Sequence, residues 1–324
     1  MKGVLTLGEV LIDFIPLDKN MTYQKNPGGA PANVAAGVSR LGGKAGFLGK
    51  VGDDALGRYL KDVLEGFNVS TENMLFTKEA HTGIVLVTLD ENGERSFEFY
   101  VNPSADRLLS EDDIKEEMLN DYGILHFGTI SMIDEISRWA TLKAVNIAKK
   151  KGMLISFDPN LRLNLWPSVE KAKEIVFSML PFVDILKVSD DEVKFLTGCN
   201  NIEEGLKRLA EFGTKLVLVT LGKDGVLFSF NGIIDKVSGF STQVVDTTGA
   251  GDAFVAGMLY SLSSCEKGFE DINIEDIRYF CKIANVCGSY AVSKKGAMSA
   301  LPTLDEVLDV LKRGEFYEFI CTKG

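Results

Sequence analysis

Histidine is scarce in this chain of 324 residues: only His81 and His126 are present. That leaves little from which to build a histidine-rich zinc site or a Ser–His triad. His126 falls inside the strand-like run 124–128, where a structural role is expected. Cysteine is sparse too. The five Cys, at 199, 265, 281, 287 and 321, are odd in number and form no CxxC. Cys281 and Cys287 sit in a helix-like segment and read as small buried apolar residues, in keeping with a reducing compartment. Positive charge is in deficit, with 35 Lys and Arg against 46 Asp and Glu, a net charge of −11. A nucleic-acid surface needs clustered Lys and Arg, so that class of partner is excluded. Any anion site must therefore be local, built from backbone amides, a few cations and a metal ion. No apolar run approaches the ~20 residues of a membrane span. The segment 1–15 is apolar but broken by Glu9 and Asp13, without a basic start or a cleavage site, so it does not read as a signal peptide. A cytoplasmic enzyme without a membrane partner is expected. Two nucleotide signatures are also missing. There is no GxxxxGK[ST] loop, and no clean GxGxxG follows the first strand, which argues against a dinucleotide-dependent dehydrogenase.

What is present is an alternation. Short β-rich runs at 4–7, 45–51, 124–128, 154–158, 185–188 and 216–221 are separated by helix-like segments at 32–41, 136–151, 169–179 and 202–212. This predicts βαβ units: an α/β, Rossmann-like three-layer sandwich with a mainly parallel central sheet. One region breaks the rhythm. Runs 83–89 and 95–101, joined by Asp90-Glu91-Asn92-Gly93, give a hairpin signal and are expected to form part of a small β lid. The reading is one domain over 1–324, with the lid drawn from about 14–30 and 80–105. Ligands of such folds sit beyond the carboxyl ends of the strands, where Asp13, 158–162, 189–192 and 222–225 fall.

The most informative segment is Asp246-Thr247-Thr248-Gly249-Ala250-Gly251-Asp252. It follows a strand-like run, 241–245, and opens an apolar helix-like run. Gly249 and Gly251 permit a tight turn and close approach. Helix-start amides backed by the dipole suit a phosphate. An acid at the end of such a cradle would repel a phosphate it merely held. It makes sense as a base that takes the proton of an alcohol attacking that phosphate. A glycine-rich turn with an ordinary capping aspartate is the alternative, since helix starts favour Asp.

This segment resembles the second signature of the ribokinase-like (PfkB) sugar kinases. Gly28-Gly29-Ala30-Pro31-Ala32-Asn33-Val34-Ala35 resembles their first, sugar-side signature. The two stand in the family's order, and the resemblance runs from Gly8 to about Pro302. Finer matches point to the fructokinase branch: Gly8-Glu9-Val10-Leu11-Ile12-Asp13-Phe14, Asn102-Pro103-Ser104-Ala105-Asp106, Asp158-Pro159-Asn160-Leu161-Arg162 and Lys187-Val188-Ser189. The resemblance implies transfer of the γ-phosphate of MgATP to the 6-hydroxyl of D-fructose. The alternatives are 2-keto-3-deoxygluconate kinase, whose carboxylate would call on Arg95, Arg107 or Arg162, or another sugar kinase of this architecture.

The resemblance also assigns roles. Asp252 is the base, with the amides of Gly249, Ala250 and Gly251 as the anion hole. Arg162 lies at the transferring phosphate or the sugar, with a surface salt bridge as its alternative. Asp13, Gly28, Gly29 and Asn33 contact the sugar. Phe99, with Phe97, either covers the sugar or packs the lid. Lys187, Ser189 and Glu192 form the triphosphate and metal region, Glu192 acting on Mg²⁺ through water. Many relatives have Asn where this chain has Ser189. Thr220, Gly222 and Gly225 form the nucleotide strip, and Asn285 lies on the adenine side. Asp246 and Thr248 match two positions of a K⁺ site. A homodimer through the lid is expected.

Overall fold

The computed structural model describes residues 2–18, 22–89 and 95–321. In chain order the strands and helices are β1 Gly3–Leu7, β2 Leu11–Pro16, β3 Tyr23–Gly28, α1 Ala30–Arg40, β4 Ala45–Gly52, α2 Ala55–Gly66, β5 Met74–Thr77, β6 Ile84–Leu89 and β7 Arg95–Phe99. They continue with β8 Tyr122–Gly128, α3 Glu135–Lys150, β9 Leu154–Asp158, α4 Val169–Met179, β10 Ile185–Ser189, α5 Asp190–Thr197, α6 Ile202–Ala210 and β11 Leu216–Thr220. The last are β12 Val226–Phe230, β13 Ile233–Val237, α7 Ala250–Ser264, α8 Ile274–Val292 and α9 Leu304–Cys321.

Nine strands form the central sheet, in the order β13-β12-β11-β10-β9-β8-β1-β4-β5. Every pair from β5 to β11 is parallel, while β12 and β13 are antiparallel additions at one edge. The parallel strands are almost wholly buried, as strands covered on both faces must be. Alternation along each strand feeds two cores. Val4 joins side chains of α1, α7, α8 and α9 on one face, whereas Leu5 and Leu7 join those of α3, α4, α5 and α6 on the other. The expected three layers are therefore present.

A second sheet, β3-β2-β6-β7, stands apart from the first. Its β6–β7 pair is the expected antiparallel hairpin. The Asp90–Gly93 turn lies outside the described residues. The sheet begins at Leu11, earlier than the expected 14, so Asp13 belongs to it. Leu11, Val85 and Val87 form its own small apolar cluster.

Two expectations are corrected. Residues 241–245 are not a strand. They have no sheet neighbour and are exposed, Val244 at 62% and Val245 at 48%; β-branched composition alone mimicked a strand. Helix α1 starts at Ala30 rather than at 32, because Gly29 caps it and Pro31 fits its first turn. His126 is buried beside Ser156, with burial and Lys187 pushing its pKa down to about 3, so its role is structural. Cys281 and Cys287 are buried, and burial raises both thiols above the ordinary range. Among the described residues no helix is long and apolar enough to cross a membrane.

Candidate active site

Strand order reverses at β1, whose neighbours are β4 and β8. At the carboxyl ends of this reversal lies a cavity of about 810 Å³. A second lobe of about 320 Å³ adjoins it, and the two share Thr220, Gly222, Thr247, Ala250 and Gly251. The loop before α7 thus forms the wall between two chambers.

That loop is set by Asp246 and Gly249. Asp246 is buried. Its Oδ1 accepts from the Thr248 N–H (3.0 Å) and hydroxyl (2.7 Å), and its Oδ2 accepts from the Gly296 N–H (3.2 Å). Asp246 lines neither chamber, whereas Thr248 lines the larger. Gly249 caps α7 at φ 76°, and a Cβ there would meet the Ala297 Cβ at 2.8 Å. No side chain caps α7, and first-turn amides have no partner inside a helix. The Ala250 N–H turns back to the Thr247 carbonyl at 3.3 Å. Of the expected anion-hole amides, that of Ala250 is thus already bonded within the protein.

Asp252 stands on the first turn of α7 and is buried. Burial, with repulsion from Asp158, pushes its pKa up to about 6 against the opposing pull of Asn33, Lys187 and Arg162. Its Oδ2 accepts a 2.7 Å hydrogen bond from the Asn33 side-chain amide. Lys187, at the end of β10, pairs with Asp158, at the end of β9, at 3.0 Å, both buried. Burial works against the Lys187 charge, but Asp158, Glu192 and Asp252 hold its pKa above the ordinary value, so it stays cationic. Arg162 lines the cavity and is held by Asn160 Oδ1 at 2.8 Å. Among the described residues it forms no ion pair with an acid, so the salt-bridge alternative is not realised.

The sugar-side candidates divide. Asp13, Gly29, Asn33 and Phe99 line the larger chamber, and Gly28 does not. A Cβ on Gly28 would lie 2.3 Å from the Asp13 carboxylate, and one on Gly29, at φ 105°, would lie 2.5 Å from the Glu9 carbonyl. Glycine is thus demanded here by the protein's own packing, which the sequence alone did not separate from ligand contact. Burial raises Asp13 to about 6, with Arg162 opposing and Asp252 adding to the shift. The Asn33 amide nitrogen gives one of its two hydrogens to Asp252, while its buried Oδ1 has no hydrogen-bond partner within the protein. Phe99 packs on Leu11, Val85 and Val87, as lid packing requires, and also lines the cavity. The side chain of Phe97 lies outside the described residues.

Ser189 and Glu192 form a capping box at the start of α5. Glu192 Oε2 accepts from the Ser189 N–H and Oε1 from the Leu161 N–H, both at 2.8 Å. Each oxygen keeps a further lone pair. Asp190 and Asp191 also line the cavity but pair with Lys194, and among the described residues no group of three acids is placed to bind a metal directly, which leaves Glu192 as a partner through water. Thr220 and Gly222 lie at the junction of the chambers. Gly225 and Asn285 line the smaller one with Phe240, Val244, Phe254 and Val292. Asn285 gives its amide hydrogens to the carbonyls of Val237 (3.2 Å) and Ser238 (3.0 Å). It therefore shapes this apolar slot and has no hydrogen left to donate to a base.

Among the cavity residues without a role from the sequence is Glu9, a buried acid between β1 and β2. Its signal was an acid directly after the first strand, inside an otherwise apolar segment.

The pattern of the pfkB family carbohydrate kinases matches residues 1–304. Fructokinase-2 of Solanum lycopersicum is 43% identical over 320 residues, covering 96% of this chain and 96% of that protein. A double mutant of the fructokinase from Vibrio cholerae O395, solved with fructose, ADP and potassium ion bound, superposes with a TM-score of 0.87. It is 40% identical and covers 95% of this chain and 98% of that one. The fructokinase of Xylella fastidiosa with bound ATP gives a TM-score of 0.90 at 33% identity, covering 97% and 100%.

Proposed function

Because this chain belongs to the pfkB family of carbohydrate kinases, we propose that its larger chamber takes fructose and its smaller one the adenine of ATP. The chain is an ATP-dependent sugar kinase that phosphorylates fructose. The observation that carries the chemistry is the placement of Asp252. A buried carboxylate with a pKa near 6 stands on the same helical turn as the amides of the phosphate cradle. It is ionised at neutral pH yet basic enough to take a proton.

The reaction is an in-line transfer. Asp252 orients the 6-hydroxyl and accepts its proton as the new O–P bond forms and the β–γ bridge breaks. The amides of the α7 start, with Lys187 and Arg162, stabilise charge on the transferring phosphoryl group. Asp13 and the Asn33 Oδ1 hold sugar hydroxyls. Glu192 would hold Mg²⁺, and that ion would offset the negative charge of the phosphates. Asp246 and Thr248 shape a K⁺ site beside the cradle, a role supported by the potassium-bound Vibrio relative. The small sheet serves as a lid over the sugar. Among the described residues its outer strands β3 and β7 have no further neighbour, and pairing with a second copy would cover such an edge. We place the enzyme in the cytoplasm, a reading supported by four free thiols.

A carboxylated sugar is disfavoured. Arg107 is committed to Asp134 and does not line the cavity, which leaves Arg162 as the cavity's arginine among the described residues. The test is a coupled ADP-release assay with MgATP against fructose, 2-keto-3-deoxygluconate, ribose and adenosine, with and without K⁺. Fructose-selective turnover supports the reading, and turnover confined to the keto acid overturns the substrate.

A further inference from the structure

Glu9 lies where the chain leaves the central sheet for the small one, after β1 and two residues before β2. It is 3% exposed and lines the sugar chamber. Its Oε1 accepts the Ala30 N–H at 3.1 Å across 21 residues of sequence. Ala30 opens α1, and that helix has no local side-chain cap because its cap residue is Gly29. Pro31 has no N–H to offer. Glu9 therefore replaces the missing cap from another part of the chain. Its main chain also bears on the same turn, since the Glu9 carbonyl occupies the space a Cβ on Gly29 would need.

One turn into α1 stands Asn33. Its backbone N–H bonds the Gly29 carbonyl at 2.9 Å, and its side chain reaches Asp252 at 2.7 Å. We propose that Glu9 is a positioning residue for the phosphoryl transfer: by fastening the first amide of α1 it sets the angle from which Asn33 meets the base. This rests on the assignment of Asp252 as base. The groups around Glu9 suit a fastener without charge. Burial first, then repulsion from Asp106 on the 105–108 turn and from Asp252 on α7, raises its carboxyl to about 8. The Ala30 N–H and its own backbone amide oppose that shift. A neutral carboxyl still offers its carbonyl oxygen to Ala30, and an amide side chain would do the same.

The experiment compares Glu9→Gln, Glu9→Ala and Ala30→Pro in the full chain with MgATP and fructose. Ala30→Pro removes the hydrogen that Glu9 accepts, at a helix position where proline is tolerated, and puts a ring carbon in its place beside the chamber. Glu9→Ala and Ala30→Pro are expected to lower kcat about tenfold or more, since small misplacement of a reacting group is costly. Both are also expected to move the acidic limb of kcat/KM upward, because the Asn33 bond lowers the Asp252 pKa. Glu9→Gln is expected to retain the wild-type limb and kcat to within about threefold. If Glu9→Ala fails to fold, Ala30→Pro and Glu9→Gln carry the test. A limb that stays at the wild-type pH in Ala30→Pro, or that moves equally in Glu9→Gln, overturns the proposal. Asp252→Asn is run alongside. An active Asp252→Asn removes the base assignment itself, whereas an inactive one beside a wild-type Ala30→Pro profile removes only the role of Glu9.

Discussion

The side-chain amide of Asn33 meets the carboxylate of Asp252 at 2.7 Å, joining residues 219 apart in sequence. One belongs to the Gly-Gly turn before α1, the other to the glycine cradle before α7. The two sequence signatures therefore meet in the fold, and the contact between them lowers the pKa of the proposed base. Without Asn33 the carboxyl would titrate higher still, since its hydrogen bond is among the influences that hold the pKa down.

Replacing Asp252 by Asn removes the proton acceptor and keeps the shape. The expected loss in kcat is about 10²–10⁴-fold, with fructose binding retained by calorimetry. The same change relieves a buried charge. The folded pKa, about 6, lies above the unfolded value of 3.8. The wild-type penalty is therefore absent below pH 3.8 and complete above 6. Asp252→Asn is expected to be more stable than wild type at pH 8 by up to about 3 kcal/mol, and equal to it near pH 4. Identical melting temperatures at pH 8 would contradict the burial argument.

Activity should fall on the acid side. Asp252 and Asp13 both titrate near 6 and act ionised, so kcat/KM for fructose is expected to drop as pH falls through that value. A pH–rate profile flat from 5 to 8 would remove these acids from the mechanism.

Lys187 and Asp158 can be separated into their structural and chemical parts. Lys187→Ala strands a buried carboxylate and is expected to cost about 3–5 kcal/mol. Lys187→Met with Asp158→Leu removes both charges and should recover most of that stability by denaturant unfolding. The double variant should nevertheless stay inactive, because the cation facing the phosphates is gone. A double variant with normal turnover would show the pair to be scaffolding alone.

Gly249→Ala tests the cradle. The left-handed φ of 76° costs about 1–2 kcal/mol for a residue with a Cβ, and the new methyl meets Ala297. The backbone must shift, and kcat is expected to fall about 10²–10³-fold, as when an oxyanion donor is lost. KM for fructose should change much less. Wild-type kcat in the Gly249→Ala enzyme would place the anion hole elsewhere.

Much of this was readable from the chain because local rules and global fold agree. The parallel strands announce themselves as short, fully apolar runs, since both faces are covered. What was hidden depends on contacts distant in sequence. Antiparallel β13 carries mixed, half-exposed residues and gave no clear period, and the buried β12 beside it went unread with it. The run 241–245 imitated a strand, as β-branched residues do wherever they lie. Gly28 looked like a ligand contact because the sequence cannot show that Asp13 fills the space beside it. Glu9 looked like an interruption in an apolar segment, and its meaning rests on Ala30, far along the chain.

Asp13 rides on the small sheet, while Asn33 and Asp252 belong to the body built on the large one. Only Gly8, Glu9 and Val10 separate β1 from β2. A sugar touching Asp13 and Asn33 together therefore acts as a fastener across a short leash. If the small sheet closes as proposed, gripping the substrate and shutting the chamber against water would be one event, and a ligand too small to reach both walls would leave the door ajar.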